Sequence, residues 1–437
     1  MFTTTEQLYA VFLQHPQICT DSRKPDADAI FFALSGPNFN GNVFAESALQ
    51  NGCAYAVVDD PSFARNDRYL LVENCLLALQ DLARYRRRKL SAKFIGITGS
   101  NGKTTTKELL ASVLRKQFRT FATVGNLNNQ IGVPLTLLAM PADTEIAVIE
   151  MGASKQGDIK ELVEIAEPDF GIITNIGKAH LEGMGGFNGV IKTKTELYDF
   201  IRLSGGKVFV NSIHDVFIQN SAGMSCVYYG QRETDFVCGA YIDSKPYVRF
   251  RWKSINDPIA LVAKPELQTV LMGFYNFENL LAAAAVGAYF GISEDAINQA
   301  LCEYNPDNNR SQMVETGNNL LIMDAYNANP SSMEAALHNF KEMRNPRKVL
   351  ILGKMMELGE TWKSEHERIA QLANETGADS VFFVGDLYAK AGISNCTKHF
   401  NDVSDAQRYF KENPLKGFTI LIKGSRSNRL ESLKDLF

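Results

Sequence analysis

The segment FIGITGSNGKTTTKELL, residues 94–110, constrains the fold of this chain more than any other stretch. A short apolar strand runs into Gly99-Ser100-Asn101-Gly102-Lys103-Thr104, and a helical pattern follows at once. Glycines let the backbone turn tightly and aim its N–H groups inward. Those groups, with the N-terminus of the helix, cradle phosphate oxygens. Lys103 has the reach for the β- and γ-phosphates, and the Thr104 hydroxyl can ligate Mg²⁺. The strict pattern GxxxxGK[ST] is not met, because Ile97 stands six residues before Lys103 and Gly99 only three before Gly102. The strand before, the helix after and the run Thr104, Thr105, Thr106 favour nucleotide binding over an ordinary strand-to-helix turn.

Short apolar runs alternate with helical stretches along the whole chain, which is the mark of α/β architecture. The 437 residues suggest about three domains at roughly 150 residues each. Strand candidates in the first part are Ile30 to Leu34, Ala54 to Val58 and Tyr69 to Val72, followed by an amphipathic helix from about Glu73. We place this small α/β unit at 1–90. The second unit, 91–308, carries strand candidates Phe94 to Thr98, Ile146 to Met151, Phe170 to Asn175 and Val208 to Asn211, all short and apolar as buried parallel strands are. From 226 to 262 the alternation of Val248, Phe250 and Trp252 with Arg249, Arg251 and Lys253 predicts half-exposed antiparallel strands, and an alanine-rich helix, Asn279 to Phe290, closes the unit. The third unit, 309–437, follows the turn-forming YNPDNN and has strand candidates Leu320 to Met323, Val349 to Leu352, Val381 to Val384 and Thr419 to Ile422.

Composition narrows the function. Apolar residues are 45% and charged residues 22%, which excludes a mostly disordered chain. Lys plus Arg is 45 against 49 for Asp plus Glu, a net charge of −4, which excludes a surface built to wrap nucleic acid. The basic cluster Arg84, Arg86, Arg87, Arg88, Lys89 ends its helix, where positive charge suits the helix dipole better than it argues for a phosphate patch. Seven cysteines stand singly without a CxxC or zinc spacing, and read as reduced thiols of a cytoplasmic protein. No run approaches the ~18 apolar residues of a membrane helix, so no membrane insertion is expected. The opening MFTTTEQLYAVFLQH carries an acid and no basic region, unlike a signal peptide.

Several polar groups fall at predicted strand ends, where open α/β sheets place their ligands. Glu150 ends the strand IAVIEM beside the phosphate loop and is placed to hold Mg²⁺ directly or through water. His180 follows Thr174-Asn175, and a lone histidine is as readily structural as a ligand. Lys192 and Lys194 lie on a predicted helix and, taken alone, read as surface lysines. Asn126, Asn128 and Asn129 make a polar cluster that is otherwise a loop of turn formers. DAYNANP (324–330) and KGSR (423–426) each follow a strand; the bland alternatives are an asparagine-rich turn and a basic surface loop.

Together these pieces resemble the Mur ligases of bacterial cell-wall synthesis, almost end to end. The resemblance rests on TDSRK and GPNFNGNVF in the first unit, on ITGSNGKTTTKE, GNLNNQIGVPLTLL, IEMGA, TNIGKAHLEG, KTKTELYD and GFYNFENLLAAAA in the second, and on DAYNANPSSMEAAL, MELGE and KGSRSNRLE in the third. EMGA, YNANP and KGSR together point to the member that adds a dipeptide. The resemblance implies a small N-terminal α/β UDP-sugar domain, a central P-loop ATPase domain with a mostly parallel sheet, and a C-terminal Rossmann-like α/β domain. It implies ATP and Mg²⁺ as cofactors, UDP-N-acetylmuramoyl-tripeptide and D-alanyl-D-alanine as substrates, amide formation through an acyl phosphate, and a monomer. Gly99, Ser100, Asn101, Gly102, Lys103, Thr104 and Thr105 would hold the ATP phosphates. Thr104, Glu150, His180 and Lys194 would be metal ligands, Lys194 as a CO₂-derived carbamate, with Lys103, Lys194 and His180 catalytic. Asn276 and Asn279 would face adenine, and Arg310 and Asp324 the ribose and phosphates. Thr20, Ser22 and Arg23 would contact the UDP-sugar. Asn126, Asn129, Tyr326, Asn327, Asn329, Lys423 and Arg426 would lie about the peptide substrates.

The chain departs from the family pattern at Lys354, Asn309, Asn428 and Leu430, all in the third unit. The rival expectations are another ligase of the same superfamily, including one resembling folylpolyglutamate synthetase, and a P-loop protein that binds nucleotide without ligating anything.

Overall fold

The computed structural model describes residues 2–437 apart from 24, 307–311, 344 and 346. The described residues form three β-sheets, each flanked by helices. The first sheet is small and parallel, in the order Ile18–Cys19, Ile30–Phe32, Tyr55–Val58, Tyr69–Leu71.

The second sheet has nine strands. At its centre Lys93–Thr98 pairs in parallel with Ile146–Glu150 on one side and Phe170–Ile173 on the other. Thr120–Ala122 extends one edge, in parallel with Ile146–Glu150. Beyond Phe170–Ile173 follow Lys207–Asn211 and Ser225–Gly230, also parallel. The antiparallel strands predicted from the 248–253 alternation are Val237–Ser244 and Val248–Ser254, with Leu267–Gln268 at the edge. Ser225–Gly230 overlaps the start of the 226–262 stretch yet is parallel to both neighbours.

The third sheet has six strands in the order Gln312–Glu315, Leu320–Asp324, Thr419–Lys423, Lys348–Gly353, Ser380–Val384, Lys398–Phe400. Only Gln312–Glu315 runs antiparallel to its neighbour.

Two-residue periodicity explains why these strands are apolar throughout. Ile146 and Val148 point into one core, and Ala147 and Ile149 into another on the opposite face. In the third sheet Val349 and Ile351 face one core while Leu350 and Leu352 face the other. A strand covered by helices on both sides has no solvent face left for polar residues.

The helix before the phosphate loop is Cys75–Arg87, capped by Asn74, whose side chain accepts from Leu77 N at 2.9 Å. Leu79, Leu82 and Ala83 of this helix share one core with Leu8 and Phe12 of the first unit and with Val133, Leu137 and Ile165 of the second. Its basic cluster does more than suit its own dipole. Arg86 donates to the carbonyls of Leu137 and Met140, at the end of the helix Gly132–Ala139. Arg87 donates to Ala166 O at 2.8 Å and Glu167 O at 2.7 Å, at the end of Asp158–Ala166. Cations thus satisfy the orphan carbonyls of two neighbouring helices, and clamp the first unit to the second. The alanine-rich helix runs Phe274–Tyr289, five residues earlier at its start than the composition alone suggested, and a further helix, Glu294–Glu303, follows it. None of the described helices is long and apolar enough to cross a membrane.

Candidate active site

A cavity of about 860 Å³ opens between the second and third units, at the C-terminal ends of their parallel strands. Its wall includes Ser100, Asn101, Gly102 and Lys103 from the loop, Glu150 and His180 from the neighbouring strand ends, and Asp324, Tyr326, Asn327, Asn329 and Lys423 from the third unit. Residues more than 200 positions apart in sequence are therefore brought to one space.

The loop has the conformation that its glycines permit. Gly99 has φ of +147° and Gly102 +75°, backbone that side-chain-bearing residues rarely adopt. Gly102 precedes the helix Lys103–Leu114, and a Cβ there would press on the Asn279 amide at 2.9 Å. The loop is strapped to the next strand end: Asn101 N donates to Asn175 Oδ1 at 2.9 Å, and Thr174 Oγ1 to Asn101 O at 2.6 Å. Lys103 Nζ folds back on Gly99 O at 2.7 Å, holding its charge over the loop. Thr105 lines the cavity beside it.

Glu150 is buried and fully held. Thr104 Oγ1 donates to its Oε2 at 2.9 Å and Asn128 Nδ2 to its Oε1 at 2.7 Å. Its backbone N–H donates to Thr123 Oγ1 at 3.0 Å, and buried Lys107 Nζ donates to Thr123 O at 2.7 Å. Asn128, in the predicted polar cluster, is the member that reaches Glu150. Asn129 Oδ1 instead accepts from Gly132 N at 2.9 Å and starts a helix, while Asn126 lines the cavity.

The two lysines of the helix Phe187–Ser204 separate cleanly. Lys192 is exposed, and Lys194 is 1% exposed. Burial, with Lys103 close by, holds the Lys194 amine well below the usual lysine range. Among the described residues it takes no hydrogen bond or ion pair, a costly state for a buried ammonium. His180 has φ of +52°, and its Nδ1 meets the carboxylate of Glu357, itself at φ +61°, in the third unit's MELGE segment. Burial lowers the His180 pKa, with Glu357 opposing and Lys103 and Lys194 adding to the shift. Glu150 and His180 both line the cavity beside the phosphate loop, and the Thr104 hydroxyl bonds to Glu150; the oxygens of this pair are the donor type a hard divalent cation takes. A carbamate at Lys194 would add an anionic oxygen where two lysines now repel.

The third unit touches the second at defined points. Asn329 caps the helix Pro330–Glu342 through its Oδ1 and reaches Asn101 Oδ1 with its Nδ2 at 2.8 Å. Lys178 N donates to Ser331 Oγ at 2.9 Å, and Lys178 Nζ to Glu365 Oε1 at 2.6 Å. Lys423 Nζ pairs with Asp324 Oδ2 at 2.6 Å, both at strand ends. Arg426 stacks over the Tyr326 ring at 5.6 Å.

Not every expected residue joins this site. Thr20 and Arg23 are exposed and Ser22 half-buried in the first unit, away from the cavity wall, with Arg23 paired to Asp21 at 2.6 Å. Arg310 and Asn309 lie outside the described residues. Asn276 and Asn279 do line the cavity, and their amides also have protein partners: Thr106 Oγ1 to Asn279 Oδ1 at 3.0 Å, Asn279 Nδ2 to Asn276 Oδ1 at 3.0 Å, and Asn276 Nδ2 to Met272 O at 2.8 Å. At the departures, Asn428 Nδ2 and Ser425 Oγ both donate to the backbone carbonyl of Lys354 at 2.9 Å, and Leu430 fills the third unit's core.

The Mur ligase middle domain matches residues 97–287, and the Mur ligase glutamate ligase domain 309–426. The chain is 35% identical over 432 residues to the UDP-N-acetylmuramoyl-tripeptide–D-alanyl-D-alanine ligase of Bacillus subtilis, covering 96% of this chain and 92% of that protein. This chain belongs to the Mur ligase family. Among solved Mur ligases, MurF of Acinetobacter baumannii superposes with a TM-score of 0.85 at 31% identity, over 96% of this chain and 93% of that one. The MurF ligase of Thermotoga maritima, in complex with ADP, also gives 0.85, at 26% identity over 97% of each chain. The three-domain α/β architecture of the family is therefore that of this chain.

Sequence reasoning passed over four groups of this Mur ligase site. Asn128 was within reach, since it sits in a polar cluster. Glu278 interrupts an otherwise apolar helix start, FYNFEN, and Glu357 stands in MELGE. His214 carried no local signal.

Proposed function

We propose that this chain is an ATP-dependent amide ligase that joins D-alanyl-D-alanine to UDP-N-acetylmuramoyl-tripeptide in peptidoglycan precursor synthesis. The observation that carries the proposal is the single cavity in which the phosphate loop faces a second polar wall from the third unit. A nucleotide-binding switch without a second substrate has no use for that wall. The names of the relatives from Bacillus subtilis and Escherichia coli, both of the dipeptide-adding ligase, agree with this choice within the family.

In this reading the loop residues Gly99 to Thr105 hold the ATP phosphates, and Lys103 turns from Gly99 O toward the transferring phosphoryl group. Thr104, Glu150, His180 and Lys194 would hold Mg²⁺, which would neutralise phosphate charge as it is transferred. In its deprotonated form, which burial and Lys103 favour, the amine of Lys194 attacks CO₂ and loses a proton to give the carbamate. The tripeptide's terminal carboxylate attacks the γ-phosphorus, forming an acyl phosphate and releasing ADP. The amine of D-alanyl-D-alanine then attacks the acyl carbon, loses a proton and expels phosphate. Asp324, Tyr326, Asn327, Asn329, Lys423 and Arg426 supply the third domain's face to ATP and dipeptide; Asn126 and Asn129 lie toward the tripeptide, and Thr20, Ser22 and Arg23 toward its UDP-sugar. The protein's contribution is position and charge. Docking of the third domain excludes water that would hydrolyse the acyl phosphate. The domains at 1–90, 91–308 and 309–437, a monomeric state and a cytoplasmic location belong to the same proposal.

The test incubates the protein with ATP, Mg²⁺, UDP-N-acetylmuramoyl-tripeptide and D-alanyl-D-alanine and follows phosphate and pentapeptide. Pentapeptide formed in step with phosphate is expected. Phosphate release indifferent to the dipeptide would overturn the assignment.

A further inference from the structure

One wall of the cavity takes no part in the scheme above. The helix Phe274–Tyr289 presents two faces in its first turns. Asn276 and Asn279 point toward the phosphate loop and are bonded to one another, to Met272 and to Thr106. Tyr275 and Glu278, three residues apart and so on one face, line the cavity together with Leu271 and His214. The Glu278 side chain is 12% exposed. His214 Nε2 and Asn211 Nδ2 both meet its Oε2, each at 2.8 Å. Among the described residues its Oε1 has no partner.

The chemistry of this corner is specific. An aromatic ring and a leucine offer apolar contact to a flat heterocycle. Beside them stands a carboxylate that can only accept hydrogen bonds, fixed in place by two donors on its other oxygen. An asparagine can turn over to suit a donor or an acceptor, whereas a clamped carboxylate cannot. Adenine carries a 6-amino donor, and hypoxanthine and guanine carry a 6-oxo acceptor.

We propose that Glu278, held by His214 and Asn211, selects adenine by accepting a hydrogen bond from its 6-amino group at Oε1. The inference rests on the ATP reading above and adds a base-selecting residue to it. A 6-oxo purine in the same pose would set its oxygen against Oε1, two acceptors face to face in a partly desolvated corner, and its N1–H could reach the carboxylate only if the base shifted in its seat.

The experiment measures ADP and IDP binding to the full chain by calorimetry, with Mg²⁺ present and no peptide substrate. ADP and IDP differ at the 6-position and at N1, a bare acceptor in adenine that carries a proton in hypoxanthine, and the pose proposed sets Oε1 against the 6-position. Wild type is expected to bind ADP about tenfold or more tightly than IDP. In Glu278→Gln, whose amide can donate to a 6-oxo group, that ratio is expected to fall by about tenfold, through weaker ADP and stronger IDP binding. Equal affinities in the wild type would overturn the inference without any variant having to fold. A Glu278→Gln protein that loses both nucleotides in equal proportion, or neither, would also overturn it, because a merely structural role leaves the ratio unmoved. Binding of neither nucleotide to the wild type would overturn the ATP reading itself.

Discussion

On the middle domain's side of the cavity, Glu150 is buried and held by Thr104, Asn128 and the Thr123 hydroxyl, and the loop is strapped to Thr174 and Asn175. On the third domain's side the polar contacts are single bonds, Asn329 to Asn101, Ser331 and Glu365 to Lys178, and Glu357 to His180, and Met272 of the middle domain packs into the third domain's core. The first wall is built to stay and the second to dock. A buried network of satisfied polar groups resists rearrangement, whereas the two ion pairs on the other side, Lys178 with Glu365 and His180 with Glu357, each have one exposed partner and contribute less. In the proposed mechanism substrates would enter with the second wall lifted, and the first wall's groups would already be in place when it returned.

The largest expected effect tests the fixed wall. Lys194→Ala should cost roughly 10³-fold in kcat, while Lys192→Ala stays close to wild type. Equal mild losses in both would return Lys194 to a packing role and remove the charge logic of that wall. Glu150→Gln should cost about 10²-fold with little change in melting temperature, read by phosphate release alongside thermal unfolding.

The docking wall should respond differently. Glu357→Ala removes the carboxylate at His180 Nδ1, which orients the ring. We expect the Mg²⁺ concentration for half-maximal activity to rise about tenfold, with near wild-type activity restored at high Mg²⁺. A loss that no Mg²⁺ concentration repairs would mean that Glu357 acts on substrate instead.

Two smaller effects concern stability. Arg86→Ala strips donors from the carbonyls of Leu137 and Met140 and should cost about 1–2 kcal/mol of stability by chemical denaturation, leaving kcat intact. His366 is buried in the third domain, accepts from Met355 N at Nε2 and donates from Nδ1 to Trp362 O. Burial depresses its pKa, so the native state keeps it neutral while the unfolded chain takes up a proton near pH 6.5. Stability is thus present above about pH 6.5 and falls as pH drops below it. In His366→Gln the part of that slope due to this residue should vanish, as measured by unfolding between about pH 7 and 5.

Much of the fixed wall was legible in the sequence, because its chemistry is local. Strand, glycine loop, Lys103 and Thr104 are contiguous, and Glu150 sits at the tip of an apolar run. Lys194 was legible too, though composition misled: Val190, Lys194, Leu197 and Ile201 recur at helical spacing, so the lysine lies in the buried stripe while Lys192 falls on the opposite face. The docking wall was harder to read. Glu357 meets a histidine 177 residues away, and no local pattern encodes such a pairing. The arginine cluster shows the same limit. Its charge was plain, but its partners are carbonyls at the ends of two other helices, which exist only once the chain has folded. His214 and Glu278 belong to this class, since the clamp on Oε2 joins a strand end to a helix 64 residues on.

The most direct test of two walls acting on one carboxylate follows its oxygen. UDP-N-acetylmuramoyl-tripeptide labelled with ¹⁸O in its terminal carboxylate is turned over with ATP, Mg²⁺ and D-alanyl-D-alanine, and the phosphate released is examined by mass spectrometry. Attack of the carboxylate on the γ-phosphorus, followed by amine attack on the acyl carbon, carries one labelled oxygen into each phosphate. Phosphate free of label, with its new oxygen drawn from water, would contradict the account.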